Sequence, residues 1–342
     1  MEWIPEDCWN FLEVRNLMAV SQIHSIQDVL RIWEDLLEIC PEDTVYLTPQ
    51  WQETWWSQFG HDREMAGFYI DGPQGVSGIA SLARQGDTVS FVGTPETFDY
   101  NDFIIKPGYE REFYVELLNN LETQNVKRLE LFSLRETSPT LFHLPDMARS
   151  RGYVVEVSEE DVAPGLELPS EWESYMSGLS KKDRHELRRK FRRLESLPEW
   201  RWYVVSDPLD LHQHLDEFLR LMRLSATEKS EYMTSENESF FRKITACMAK
   251  AGLIKIFFVE IDGVNVASSL CFDYHKSRLL YNSGYDPEYS YYSVGLLMNA
   301  LCLQDSIEHN LKYFDFLRGS EPYKYHLGGA NHDLYSMVVR TS

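Results

Sequence analysis

The chain has 342 residues, about twice the size of an ordinary single domain, and 43% of them are hydrophobic, so two cores are expected and one small disulfide-stapled module is excluded. The 33 basic and 54 acidic side chains give a net charge of −21, which on average repels nucleic acid and anionic membranes. Cys8, Cys40, Cys247, Cys271 and Cys302 are odd in number and lack any Cys-x-x-Cys spacing, which argues against a disulfide framework or zinc ribbon and for a reducing compartment. No apolar run is long enough to span a bilayer, and the N-terminus MEWIPEDCWN is acidic where a secretion signal is basic, so a cytoplasmic protein is expected.

In chain order, Ser25 and Thr48 are candidate helix N-caps, Thr48 with Pro49 at the first helical position. EMAGFYI (64–70), a turn at Asp71-Gly72, VSGIASLAR (76–84), a turn at Gly86-Asp87 and TVSFVG (88–93) predict a three-stranded meander. A helix over 110–123, the strand RLELFSL (128–134), a helix near 138–151 and the strand YVVEV (153–157) follow. The acidic segment 157–170, with two prolines, reads as a linker.

The second half repeats this order. Leu211, Leu215, Phe218, Leu219 and Met222 form a helical stripe, and Ser235-x-x-Glu238 reads as a capping box for a helix to about Ala251. LIKIFFVE (253–260), Asp262-Gly263, VNVASSLCFDY (264–274) and RLLYNSGY (278–285) predict a second meander. The helical spacing of Leu296, Ala300, Leu303 and Ile307 and the strand YFDF (313–316) complete it. Asp262-Gly263 and Gly284 each follow their counterparts Asp71-Gly72 and Gly93 by 191 positions, which suggests a duplicated fold with domains at 1–160 and 161–342.

One segment departs from the acidic average. Residues 181–193 hold eight cations against Asp183 and Glu186, on a helix that Ser180 can cap and whose Leu187, Phe191 and Leu194 form a docking face. Arg188, Arg189, Lys190 and Arg193 suit a pyrophosphate, a CoA 3'-phosphate or a tRNA backbone, or else form a solvated face. The second dense cluster is DFLRGSEPYKYHLGG (315–329). Strand alternation turns Asp315 away from Phe314 and Phe316, and Arg318, Glu321, Tyr323 and Lys324 crowd the loop that follows. No metal is expected: His212 and His214 cannot share a helix face, and no His-Glu-x-x-His occurs. Trp51, Trp55 and Trp56 read as core or interdomain packing.

The order helix, helix, three strands, helix, strand resembles the GNAT acyltransferase fold, and its tandem use resembles the FemAB-like branch. Three stretches narrow the resemblance to the FemAB-related acetyltransferases typified by CelD-like cellulose-biosynthesis proteins: LSKKDRHELRRKFRRLE (179–195); the segment 293–329 with its DF-x-x-G-x-E-x-YK core; and TPQWQETWWSQFG (48–60) with FVGTPETFDYNDFI (91–104). The resemblance implies an α+β protein of two tandem GNAT-like units, each a mixed, mostly antiparallel sheet flanked by helices. It implies direct transfer of an acyl group from acyl-CoA to an amine or hydroxyl of a small molecule or cell-envelope precursor.

By the same resemblance Ser293, Val294 and Gly295 occupy the helix start that holds the acyl-CoA pyrophosphate, with Arg188 and Arg189 as further cofactor-binding candidates. Acyl transfer needs a base and a proton donor: Asp315 or Glu321 for the first, Tyr285 or Tyr323 for the second. Arg318 or Lys324 would bind an anionic acceptor or stabilise oxyanion charge. Tyr100 and Asp102 belong to a loop that would help form the acceptor cleft, or else is a structural turn. Two alternatives accompany this reading: aminoacyl transfer from tRNA onto a peptidoglycan precursor, as FemAB proteins perform it, and a non-catalytic binding protein. Nucleic acid other than tRNA is not expected as a partner, nor is a membrane span.

Overall fold

The computed structural model describes residues 19–72 and 75–341; Cys8 and the N-terminal segment lie outside the described residues. The first unit opens with β1 (Ala19–Gln22), α1 (Leu30–Leu37) and α2 (Pro49–Phe59). Ser25 accepts the Gln27 N–H at a 3-10 turn leading into α1, and Thr48 accepts the Trp51 N–H with Pro49 at the first position of α2. Strands β2 (Glu64–Met65), β3 (Phe68–Gly72), β4 (Gly75–Ala80), β5 (Leu82–Gln85), β6 (Thr88–Phe91) and β7 (Ile104–Ile105) follow. Then come α3 (Glu110–Thr123), β8 (Arg128–Arg135), α4 (Pro139–Ser150) and β9 (Val154–Val162).

The predicted strand 76–84 is two strands in two sheets. It breaks at buried Ser81, which donates to Gln52 Oε1 at 2.7 Å, so that β4 joins β1 and β3 while β5 joins β2 and β6. The strand expected over 64–70 also divides, at Ala66–Gly67, and β3 includes Asp71 and Gly72 rather than turning at them.

The second unit begins with β10 (Gly165–Glu167), α5 (Trp172–Gly178), the basic helix α6 (Lys181–Glu195) and β11 (Trp200–Val205). Helices α7 (Pro208–Ser225), α8 (Thr227–Tyr232) and α9 (Ser235–Lys250) precede the meander β12 (Ile254–Ile261), β13 (Val264–Tyr274) and β14 (Ser277–Tyr285). The chain ends with α10 (Val294–Glu308), β15 (Tyr313–Asp315), α11 (Pro322–His326) and β16 (Asp333–Arg340). Asp262 and Gly263 both have positive φ, 50° and 76°, which a tight two-residue hairpin requires. The cap of α9 is Thr234, one residue before the expected Ser235; its hydroxyl accepts the Asn237 N–H at 3.2 Å.

The sheet of the second unit runs β10-β15-β14-β13-β12-β11. Ile254, Ile256 and Phe258 of β12 face α7 and α9, whereas Phe257, Val259 and Ile261 face α10 and α6, so the helices clothe both sides. At Gly284 a Cβ would lie 2.3 Å from the Met222 nitrogen, so α7 crosses β14 backbone to backbone. Gly93 differs: its φ is 119° and it abuts Phe98, so the two glycines 191 positions apart serve different needs.

The acidic segment 157–170 is not a linker for most of its length. Strand β9 continues through Val162 along β16, and β10 pairs with β15. Both are edge strands, where exposed carboxylates are tolerated and discourage pairing with other chains. Strand β16 lies between β8 and β9, so the end of the chain completes the sheet of the first unit. Aromatic packing joins the units: Trp51 meets Phe240, Phe272 and Tyr281 edge-on at 6.1, 5.4 and 5.5 Å. Among the described residues no helix is long and apolar enough to cross a membrane.

Candidate active site at a split in the second sheet

Strand β14 pairs with β13 along its length but with β15, in parallel, only over Ser277–Leu279. Beyond Leu279 the two strands part. A bulge at Tyr281, between the pairs Leu280–Cys271 and Asn282–Leu270, bends β14 at the point of separation. Into this split opens a cavity of about 330 Å³, lined by Ser283 and Tyr285 of β14, Ser293 and Asn299 at α10, Lys190 of α6 and Tyr323 of α11.

The start of α10 faces this cavity. Ser293 adopts a left-handed conformation (φ 58°) and its side chain does not cap the helix, leaving the first-turn N–H groups and the positive end of the dipole without a side-chain partner. The Ser293 hydroxyl instead accepts the Lys190 ammonium at 2.8 Å. Arg193, three residues along the same helix face, donates to the Tyr291 carbonyl and stacks over the Tyr291 ring at 4.5 Å. Gly295 lets the start of α10 pack closely on β14, since a Cβ there would stand 2.8 Å from the Tyr285 ring.

The other two candidate arginines point elsewhere. Arg188 pairs with Glu173 at 3.0 Å and lines a separate cavity of about 700 Å³ with Trp172 and Trp200, and Arg189 pairs with Glu186 at 2.7 Å. Two residues correspond to about 200° around a helix, so Arg188 cannot share the face of Lys190.

Tyr285 and Tyr323 both line the cavity at the split. Burial raises the Tyr323 phenol well above its ordinary value, which keeps it protonated. Asp315 is elsewhere: it pairs with Leu279, so Tyr285 lies six strand residues, roughly 20 Å, away. Its carboxylate accepts the Tyr100 hydroxyl and the Leu317 N–H, each at 2.8 Å, joining the two units. Burial pushes the Asp315 carboxyl up to about 6, with Asp99 adding to the shift.

Arg318 also bridges the units, donating to Glu160 at 2.8 Å and to Ser133 at 2.5 Å. Lys324 is fully engaged by the carbonyls of Leu317, Arg318 and Gly319 at 2.9, 2.6 and 3.0 Å and by Glu321 at 3.0 Å, which pins the loop after β15. Asp102 lies wholly within the first unit, accepting from Ser138, Thr140 and the Phe103 N–H at the start of α4; burial raises its carboxyl to about 7.

The structure thus gathers Tyr285, Ser293, Val294, Gly295 and Tyr323 with Lys190 at one cavity. It places Asp315, Arg318 and Tyr100 in an inter-unit polar cluster next to the Lys324–Glu321 pair. Sequence reasoning omitted Lys229 of α8. Its stem is partly exposed, but its amine is enclosed at the split, donating to Asn282 Oδ1 at 3.0 Å and to the Ser283 carbonyl. Flanked by Glu228 and Glu231, it reads in sequence as one more solvated lysine.

Residues 181–325 match the acetyltransferase (GNAT) domain family. No curated protein matches the chain in sequence. Among solved structures, FemX superposes with a TM-score of 0.63 at 10% identity over 93% of this chain and 97% of its own. L-PGS from Bacillus licheniformis gives 0.56 at 11% identity over 93% of each chain. A tandem GNAT protein from the clavulanic acid biosynthesis pathway gives 0.51 at 10% identity over 94% of this chain and 98% of its own. The chain therefore has a FemAB-like tandem GNAT fold, with the sequence match to the GNAT domain lying in its second unit.

Proposed function

We propose that the second unit transfers an acyl group from acyl-CoA to an amine or hydroxyl of a small molecule or cell-envelope precursor. The observation that carries this reading is the uncapped start of α10, opening with Lys190 on a cavity at the split between β14 and β15. First-turn N–H groups, a helix dipole and an ammonium form a site for a pyrophosphate. Acyl-CoA supplies a thioester there. Strand β14 past Leu279 has no β15 partner and so offers an open edge along which the pantetheine can lie, with the Ser283 N–H and carbonyl already engaged by Asn282 Oδ1 and Lys229. Tyr285 and Tyr323 stand where a departing thiolate needs a proton.

The test is release of CoA thiol from acetyl-CoA in the presence of a panel of primary amines and alcohols. Transfer to at least one acceptor, reduced tenfold or more in Tyr323→Phe or Tyr285→Phe, is expected. No thiol release by any acceptor, with no acetyl-CoA bound, would sink the reading. An aminoacyl-tRNA donor is the second reading, favoured by the likeness to FemX and by the exposed cations Lys181, Lys182 and Arg192 on α6. It requires tRNA binding that weakens steeply between 50 and 200 mM salt.

A further inference from the structure

Helices α7 and α9 cover the face of the second sheet opposite α10, and α8 between them carries Lys229 to the split. Its amine rests on Asn282 and Ser283, next to the bulge at Tyr281, and Ser283 also lines the cavity on the α10 side. Because β15 has left β14 by this point, no strand separates the amine from that cavity. The uncapped helix start and Lys229 therefore both adjoin Ser283, one from each face of the sheet.

The hydrogen bonding of this amine is specific. Of its three positions beyond Cε, two donate to neutral acceptors, the Asn282 amide oxygen and the Ser283 carbonyl. A neutral amine satisfies both and keeps its lone pair on the third position. Among the described residues no carboxylate pairs with it. Glu321, the acidic group facing it, is bound to Lys324 at 3.0 Å, and the two have opposing effects on its proton. Enclosure holds the amine down to about 8, where a substantial fraction is neutral near physiological pH.

We propose that Lys229 is the proton acceptor for an amine nucleophile that enters on the α7–α9 face while the acyl donor lies on the α10 face. This rests on the acyl-CoA reading above. In the step, the acceptor nitrogen forms a bond to the thioester carbon and the C–S bond breaks with its electron pair on sulfur. One proton of the attacking nitrogen passes to Lys229 Nζ. The thiolate takes a proton from Tyr285 or Tyr323, which the ammonium of Lys229 restores through water, so that amide and free thiol are the products.

Two measurements test this. In 15N spectra of the lysine amines, the Lys229 signal, assigned by its absence in Lys229→Arg, should titrate near pH 8; titration above pH 10 would overturn the proposal whether or not acetyl-CoA binds. In acetyl-CoA transfer to the primary-amine panel, wild-type kcat should rise with pH through the same titration. Lys229→Met should lose it by 100-fold or more with the acetyl-CoA Kd changed less than threefold. Wild-type kcat in that variant, or acetyl-CoA binding without transfer to any amine, would overturn it. Failure of the wild type to bind acetyl-CoA, with Lys229 still titrating near 8, would instead sink the donor reading.

Discussion

The two units share one device and put it to different ends. In each, a strand runs parallel to a later strand for three residues and then departs: β6 and β8 over Thr88–Ser90, β14 and β15 over Ser277–Leu279. In the first unit the strands are bridged beyond the parting, although a cavity of about 340 Å³ lies beside it, lined by Ser90, Gly93, Glu130 and Phe132. Buried Asn101 donates its backbone N–H to the Ser133 carbonyl and its amide to the Val92 carbonyl, each at 3.0 Å, and Ser133 Oγ donates to the Phe98 carbonyl. The following helix, α3, begins with Glu110 and Glu112, which repel an anion. In the second unit the gap is open, and the first turn of α10 has no acidic residue and has Lys190 beside it. On the acyl-CoA reading proposed above, the second copy of the fold keeps the chemistry while the first packs against it.

The largest effect is expected where the first unit grips the second. Arg318→Met strands Glu160, a carboxylate only 15% exposed, and should cost about 3 kcal/mol in urea unfolding, with most of it regained in Arg318→Met/Glu160→Gln. Asp315 should contribute a pH dependence of similar size. Its folded carboxyl titrates near 6 against an ordinary value of 3.8, so between those limits the folded state retains a proton that the unfolded chain has shed. Stability therefore falls as pH rises through that window, by roughly 3 kcal/mol, and Asp315→Asn should flatten this part of the profile. A stability that rises across the window because of Asp315 would contradict its placement.

Loosening the bridged gap should cost less. Asn101→Ala removes the amide's hydrogen bond to the Val92 carbonyl at a buried site, keeps the backbone bond to Ser133, and should lower stability by about 2 kcal/mol without creating acetyl-CoA binding in the first unit. Next comes the anion site itself: Lys190→Glu should weaken acetyl-CoA at least tenfold, about 1.4 kcal/mol. Arg188→Glu, on the opposite face of the same helix, should change affinity less than threefold. Equal losses in the two variants would mean a diffuse field and not a built site.

Much of the second unit is legible in the sequence because local signals agree. Strand β13 occupies the predicted 264–274, and Ser180 caps α6 as its spacing implies, accepting the Asp183 N–H at 3.1 Å. The long-range features are not legible. Pairing of β16 with β8 and β9 spans nearly the whole length of the second unit, and nothing local marks it. Periodicity places Lys190 and Arg188 on different faces of α6 but does not say which face meets α10. Lys324 reads as a reactive cation, yet the loop turns three of its own carbonyls onto the ammonium. Lys229 was hidden for the converse reason: polar neighbours in sequence suggest solvent, and only the crossing of α7 over β14 brings it to the split.

The contrast between an unbridged copy with a cation at its helix start and a bridged copy with acidic residues there is tested most directly by calorimetric titration of the full chain with acetyl-CoA. One molecule bound per chain, with the heat strongly reduced in Lys190→Glu and preserved in Glu112→Lys, is the expected result. Two molecules per chain, or one whose affinity ignores Lys190 and responds to Glu112, would contradict it.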